Sequence, residues 1–153
     1  MKIIFPFEDR QSSILKIVKR PMAKADFWSN KTSSWIEYNL IVDTGADYTL
    51  FPYHVAFELG VNLEKDCQQV FTKGVGGIER VHFLKRGLKM KIGNLEKIIP
   101  LGFLEREDIP PLLGREGCLN DFEVCFFAFN TIVSSGNFRN NLNPLGQKLK
   151  KKF

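Results

Sequence analysis

Along this chain apolar residues recur mostly at a spacing of two, in short runs broken by glycine, proline and asparagine, a pattern of half-buried strands and turns. Residues 88–92 are the plainest case. Leu88, Met90 and Ile92 alternate with Lys89 and Lys91, and Gly93-Asn94 then supplies a two-residue hairpin turn. Residues 95–104 answer across it as the returning strand. Near the start, residues 14–18 predict a first strand closed by Lys19-Arg20-Pro21, and residues 22–34 read as mixed and polar with a turn at Ser29-Asn30-Lys31. Residues 35–42 predict the second strand. Its last three residues, Leu40-Ile41-Val42, form a continuous apolar run suited to burial on both faces. Residues 49–51 return to extended structure. Pro52 then stands where a first helical residue belongs and Gly60 where a helix stops, with about two turns of helix over 53–59 between them. Val70 and Phe71 lead into a glycine cluster, and Ile78, Val81 and Phe83 lead away from it, as in a hairpin. A charged loop at 105–108, a short helix at 116–121, a strand over 122–129, a turn at Asn130-Thr131 and a last strand fragment at 132–133 complete the pattern. No repeat of solenoid period is present. The expected fold class is mostly β, a single closed barrel of short strands with one or two short helices.

Charge changes this picture only at one end. The formal net charge is +5, but residues 139–153 hold Arg139, Lys148, Lys150, Lys151 and Lys152 and no acid, which leaves 17 basic and 17 acidic residues before them. The expected organisation is one domain over 1–138 and a basic, disordered tail over 139–153. A terminal lysine run with no interleaved aromatic except Phe153 points away from nucleic acid. Three cysteines, Cys67, Cys118 and Cys125, have no metal-binding spacing and leave an odd thiol, so neither a disulfide framework nor a zinc site is expected. Reduced thiols fit a cytoplasmic protein. No apolar run is long enough to span a membrane, and residues 1–7 are too short for a signal peptide.

The candidate chemistry lies at residues 40–47. Asp43 follows the apolar run directly and is itself followed by Thr44, Gly45 and Ala46, which places a carboxylate at the tip of a buried strand. Gly45 permits a turn of positive φ and close backbone approach. Read alone, this is equally an ordinary turn carrying a solvated acid. The cluster Gly74-Val75-Gly76-Gly77 is either a hairpin tip or a mobile loop; a phosphate loop is excluded, because no Gly-Lys-Ser/Thr ending follows.

Taken together, three segments resemble one family. Asp43-Thr44-Gly45-Ala46 resembles the active-site motif of the retroviral-type aspartic peptidases, the retropepsins. Lys73-Gly74-Val75-Gly76-Gly77-Ile78 resembles their glycine-rich flap, and Ile109-Pro110-Pro111-Leu112-Leu113-Gly114-Arg115 their second signature. The order and spacing also agree, over roughly residues 12–130. The resemblance implies a barrel of that type and an endopeptidase without metal or cofactor. Asp43, Thr44 and Gly45 would be catalytic. Ala46, Asp47, Tyr48, Gly74, Val75, Gly76, Gly77 and Ile78 would contact substrate, and Leu113, Gly114 and Arg115 would support the site. It also implies a buried ion pair between Asp47 and Arg115, and a hydrogen bond from Thr44 across a two-fold axis. Tyr48 departs from the family, whose viral members often carry a small or acidic residue there.

Carboxylate-catalysed peptide hydrolysis needs two acids sharing one proton, one as base and the other as acid. The worked example of that principle is the aspartic peptidases themselves. This chain has one Asp-Thr-Gly and no second, so the partner acid must come from a second copy, as an isologous dimer provides. A silent peptide-binding or dimerisation module of the same fold is the alternative reading.

Overall fold

A computed structural model describes residues 1–74 and 76–135. The expectations for Val75 and for the basic tail at 139–153 lie outside these residues. In chain order the first strands are β1 (Lys2–Pro6), β2 (Glu8–Ser12), β3 (Lys16–Arg20), β4 (Met22–Ser29), β5 (Ser34–Val42) and β6 (Thr49–Pro52). Two single-turn helices follow, α1 (Val55–Glu58) and α2 (Leu63–Asp66). Then come β7 (Cys67–Gly74), β8 (Gly77–Leu84), β9 (Leu88–Ile92), β10 (Leu95–Ile99), β11 (Leu101–Leu104) and β12 (Leu112–Leu113). A 3-10 turn at Leu119–Asp121, β13 (Glu123–Phe127) and β14 (Asn130–Ser134) finish the described chain. Nine strands form one sheet in the order β10-β9-β4-β5-β12-β6-β11-β8-β7, curled into a half-barrel. A three-stranded sheet, β1-β14-β13, and an isolated hairpin, β2-β3, stand beside it.

The core is aromatic at its centre. Phe27 of β4, Phe51 of β6 and Phe103 of β11 are fully buried. Phe27 meets Phe51 edge-on at 4.9 Å, and Tyr38 meets Phe51 at 5.0 Å. Each such phenyl ring stabilises the fold by roughly 1.5–3 kcal/mol through burial alone. Because these rings come from three strands of the main sheet, they fix its curl around the element that matters here, the end of β5.

Several expectations are corrected. Residues 22–29 are not a polar stretch but the long strand β4. Its inward residues Ala23, Ala25 and Phe27 alternate with Lys24 and Asp26, which pair across strands with Glu37 and Lys91. Small alanines gave the apolar face too little weight to be read. The first predicted strand begins at Lys16 rather than at 14. Ile14 and Leu15 form the hairpin turn, where Ser12 Oγ accepts from both their N–H groups. The helix over 53–59 shrinks to Val55–Glu58, because Pro52 stays in β6 opposite Leu104. Gly60, at φ +72, ends it as expected. α2 was not anticipated, although Asn62 caps it in the usual way by accepting from Glu64 and Lys65 N–H. The strand over 95–104 is two strands. Pro100, which has no N–H, divides β10, paired with β9, from β11, paired with β6 and β8. The helix at 116–121 is only the 3-10 turn, and the final turn sits at Ala128 and Phe129, both left-handed (φ 47 and 60), rather than at 130–131. Residues 2–6, to which the pattern assigned nothing, form β1.

Candidate active site

Asp43 stands directly after β5, and the segment that fixes it is distant in sequence. β12 inserts between the two strands that flank the acid's loop, parallel to β5 (Leu113 beside Val42) and antiparallel to β6 (Leu112 beside Leu50). Asp43 N–H donates to Leu113 O at 3.1 Å, Arg115 N–H to Ala46 O at 3.0 Å, and Glu116 N–H to Asp47 O at 2.7 Å. The loop 43–47 is thus bonded along its length to residues 113–116. Gly114 N–H donates to the hydroxyl of the fully buried Thr49 at 3.3 Å. A Cβ at residue 114 would overlap the Tyr48 backbone, so only glycine lets the two segments approach this closely.

Gly45 has a different role from the one its type predicts. It does not adopt positive φ. Its N–H donates to Asp43 Oδ1 at 2.9 Å, and a Cβ there would come within 3.2 Å of that oxygen. The glycine therefore serves close approach to the carboxylate rather than an unusual turn. Asp43 is half-buried, while Thr44 and Gly45 beside it are exposed. The acid thus sits on a rigid bed with one face open.

The glycine cluster forms the tip of the β7–β8 hairpin, where Gly74 pairs with Gly77. Only Gly77 among its described glycines takes positive φ, +116. Cross-strand partners share a face. One face therefore carries Val70 with Val81, Thr72 with Glu79, and Gln68 with Phe83. Phe83 packs edge-on against Tyr48 at 4.9 Å, which turns this face toward the acid's loop. Ile78, expected to contact substrate, pairs with Lys73 on the opposite face and is 70% exposed. The hairpin residues that share Phe83's face toward the tip are Thr72 and Glu79, which sequence reasoning missed. Their alternation with exposed Phe71 and Ile78 was the available signal, but it did not say which face looked inward.

Tyr48 ties this hairpin to the loop. A Cβ at Gly102 would meet both Val81 and the Tyr48 ring, so the ring lies across β11 against β8. Burial first, then the neighbouring Asp47 charge, raises its phenol above the ordinary value. A second tie is ionic. Arg106, in the charged loop after β11, bonds Glu79 of β8 at 3.1 Å and Asp108 at 2.6 and 2.8 Å. His82 Nε2 lies 2.8 Å from Glu105, and that hydrogen bond, with the Arg80 charge, holds the Glu105 carboxyl below the usual carboxylate range.

Arg115 does pair with Asp47, through Nη2 and Oδ1 at 2.5 Å. The pair is not buried, however, because the side chains are 43% and 72% exposed. An exposed pair contributes about 0–1 kcal/mol, not the several expected of a buried one. Beside Ile41, two residues before the acid, lies a cleft of about 390 Å³ lined also by Arg10, Arg20, Glu107, Asp108 and Pro110. The β2–β3 hairpin supplies Arg10 and Arg20 to it, a contribution the sequence did not signal. Among the described residues no group of three or more His, Cys, Asp or Glu is placed to hold a metal.

No protein-family model matches the sequence, and no curated protein is significantly similar to it. Solved structures give a clear answer about shape. The chain superposes on a retropepsin-like aspartic protease from Rickettsia conorii with a TM-score of 0.61 and 18% sequence identity, over 86% of this chain and 98% of that one. The half-barrel, the strand inserted beside the acid's loop and the glycine-tipped hairpin therefore compose the fold of a retropepsin-like aspartic protease.

Proposed function

We propose that this chain is an aspartic endopeptidase that works as a homodimer, with a water activated between two Asp43 carboxylates, one from each copy. The single observation that supports it is the placement of Asp43. It ends a buried strand, is pinned by Leu113 behind it and by the Gly45 N–H beside it, and has an open face. In the proposed reaction one Asp43 takes a proton from water as the oxygen attacks the peptide carbonyl. The other, protonated, donates to the carbonyl oxygen, and the proton then passes to the leaving amine. Thr44, exposed beside the acid, is available to bond the second copy. In this reading the β7–β8 hairpin, tied to the acid's loop through Phe83 and Tyr48, would close over the site and bond an extended peptide through its main chain. Thiols left free in all three cysteines fit a reducing cytoplasm, which we propose as its location.

Cleavage of a peptide library by the wild-type chain and by Asp43→Asn tests this reading. The expected result is turnover in the first and none in the second, with both folded, because an amide cannot act as the base. Equal cleavage by both, or no cleavage of any peptide by a dimeric wild-type chain, overturns it in favour of a silent binding module.

A further inference from the structure

Most lysines and arginines among the described residues stand in ion pairs with Asp or Glu side chains. Lys65, Lys85 and Arg86 pair with no described acid, and all three line one cavity of about 510 Å³, larger than the cleft beside Ile41. Its walls come from three separate parts of the chain: the β4–β5 turn at Asn30, the segment from Gly60 into α2, and the β8–β9 turn at residues 85–87. Hydrogen bonds hold these walls together. Asn30 N–H donates to Leu59 O at 3.0 Å, and Lys85 N–H to Asp66 O at 3.0 Å. Lys85 Nζ donates to Lys65 O at 3.1 Å, which fixes its ammonium group beside α2. Asp66, the one acid in the lining, already accepts from Asn62 N–H at 2.8 Å. Cys67 and Leu84, the pair that opens the β7–β8 hairpin, directly adjoin Asp66 and Lys85 in sequence, so the cavity lies at the root of that hairpin.

We propose that this cavity binds a phosphate group, either free phosphate or the phosphate of a small organic molecule. Three cations and one acid in the lining leave a net charge of +2, which matches a phosphate dianion. Arg86 offers a planar fork of donors, suited to two phosphate oxygens at once, and Lys65 and Lys85 add point charges. Bound phosphate would also relieve the mutual repulsion of three like charges. The volume is that of a small-molecule site. Val61 and the buried Leu84 and Leu88 give part of the wall an apolar surface, on which the organic part of a larger ligand would rest. Nucleic acid does not fit the pattern, because its backbone needs a stripe of cations along a groove and these three surround one recess. None of the lining residues belongs to the segments 43–47 and 113–116 that hold Asp43. The inference therefore goes beyond the proposed peptidase and stands without it.

Titration of the full chain, labelled with nitrogen-15, with inorganic phosphate reads the site through its amide resonances. Saturable shifts are expected at the lining residues of 60–66 and 84–88, with a Kd of about 1 mM or tighter. Arg86 is exposed and its side chain makes no described hydrogen bond, so Arg86→Gln should leave the fold intact. It should weaken binding about tenfold, the loss of one charge-assisted contact. Lys65→Gln should weaken it severalfold. Lys16→Gln removes an equally unpaired charge from the β2–β3 hairpin and should leave the affinity unchanged. Binding that does not saturate, shifts confined to other residues, or equal loss in Lys16→Gln and Arg86→Gln overturns the site. Ribose 5-phosphate in place of inorganic phosphate separates the two sources. Tighter binding identifies an organic phosphate, and equal or weaker binding identifies free phosphate. Peptide cleavage is measured apart from this. A chain that binds phosphate and cleaves nothing loses the peptidase reading and keeps the phosphate site.

Discussion

At the scale of single residues, the site is governed by what each side chain is denied. Asp47 is denied burial, so Asp47→Asn should change the chain's unfolding free energy by less than about 1 kcal/mol in a denaturant titration. Cys67 and Cys118 are denied water. Burial, with the Asp66 charge as a lesser cause, pushes the Cys67 thiol up to about 11, and burial pushes Cys118 up to about 12. Alkylation of the native protein at neutral pH should therefore label Cys125 alone, as peptide mass spectrometry would show, and labelling of either buried thiol would contradict the packing. Both shifts are upward, so the stability they contribute is complete below the unfolded thiol value and is lost as pH rises through 11 and 12. Two placements were legible in the sequence, Asp43 directly after a strand and the pairing of Asp47 with Arg115. Residue identities served poorly where environment decides. Nothing in the letters says that the Arg115 pair faces solvent, or that Gly45 is needed for approach to a carboxylate rather than for positive φ.

At the scale of elements, the β7–β8 hairpin separates two kinds of glycine. Gly77 holds φ +116, which a β-branched residue resists, whereas Gly74 and Gly76 have no positive φ and open space around their Cα atoms. Gly77→Val should therefore lower peptide turnover severalfold more than Gly76→Val does, with little change in melting temperature for either, since the tip touches no core. Equal effects on turnover would mean that the tip conformation is unimportant. The strands legible in the sequence, β5, β6, β7, β8, β9, β13 and β14, are those marked by large apolar residues. β4 was hidden behind alanines and β2 among charged residues, whereas β1 is a short apolar run that shows no alternation. β11 was fused to β10 because periodicity does not reveal a change of partner at Pro100. No local pattern could show that Leu112-Leu113 forms a strand at all, since its two residues are extended only because β5 and β6 leave a slot for them.

At the scale of the whole molecule, a single Asp-Thr-Gly per chain would make the proposed activity a property of the assembly. If both Asp43 carboxylates belong to one site, a mixed dimer with one Asp43→Asn chain should be inactive, and excess mutant should suppress wild-type turnover as subunits exchange. Activity that falls only in proportion to the wild-type chains present would show that each chain works alone. The insertion of β12 has a further consequence, in time rather than in space. Thr49 and Asp47 are held by residues 65 and 68 positions further along the chain. During synthesis the acid leaves the ribosome long before the segment that gives it a direction, and pairings of such long range form late and slowly. The newborn chain thus carries Asp43 without a fixed direction until nearly all of the described residues have emerged.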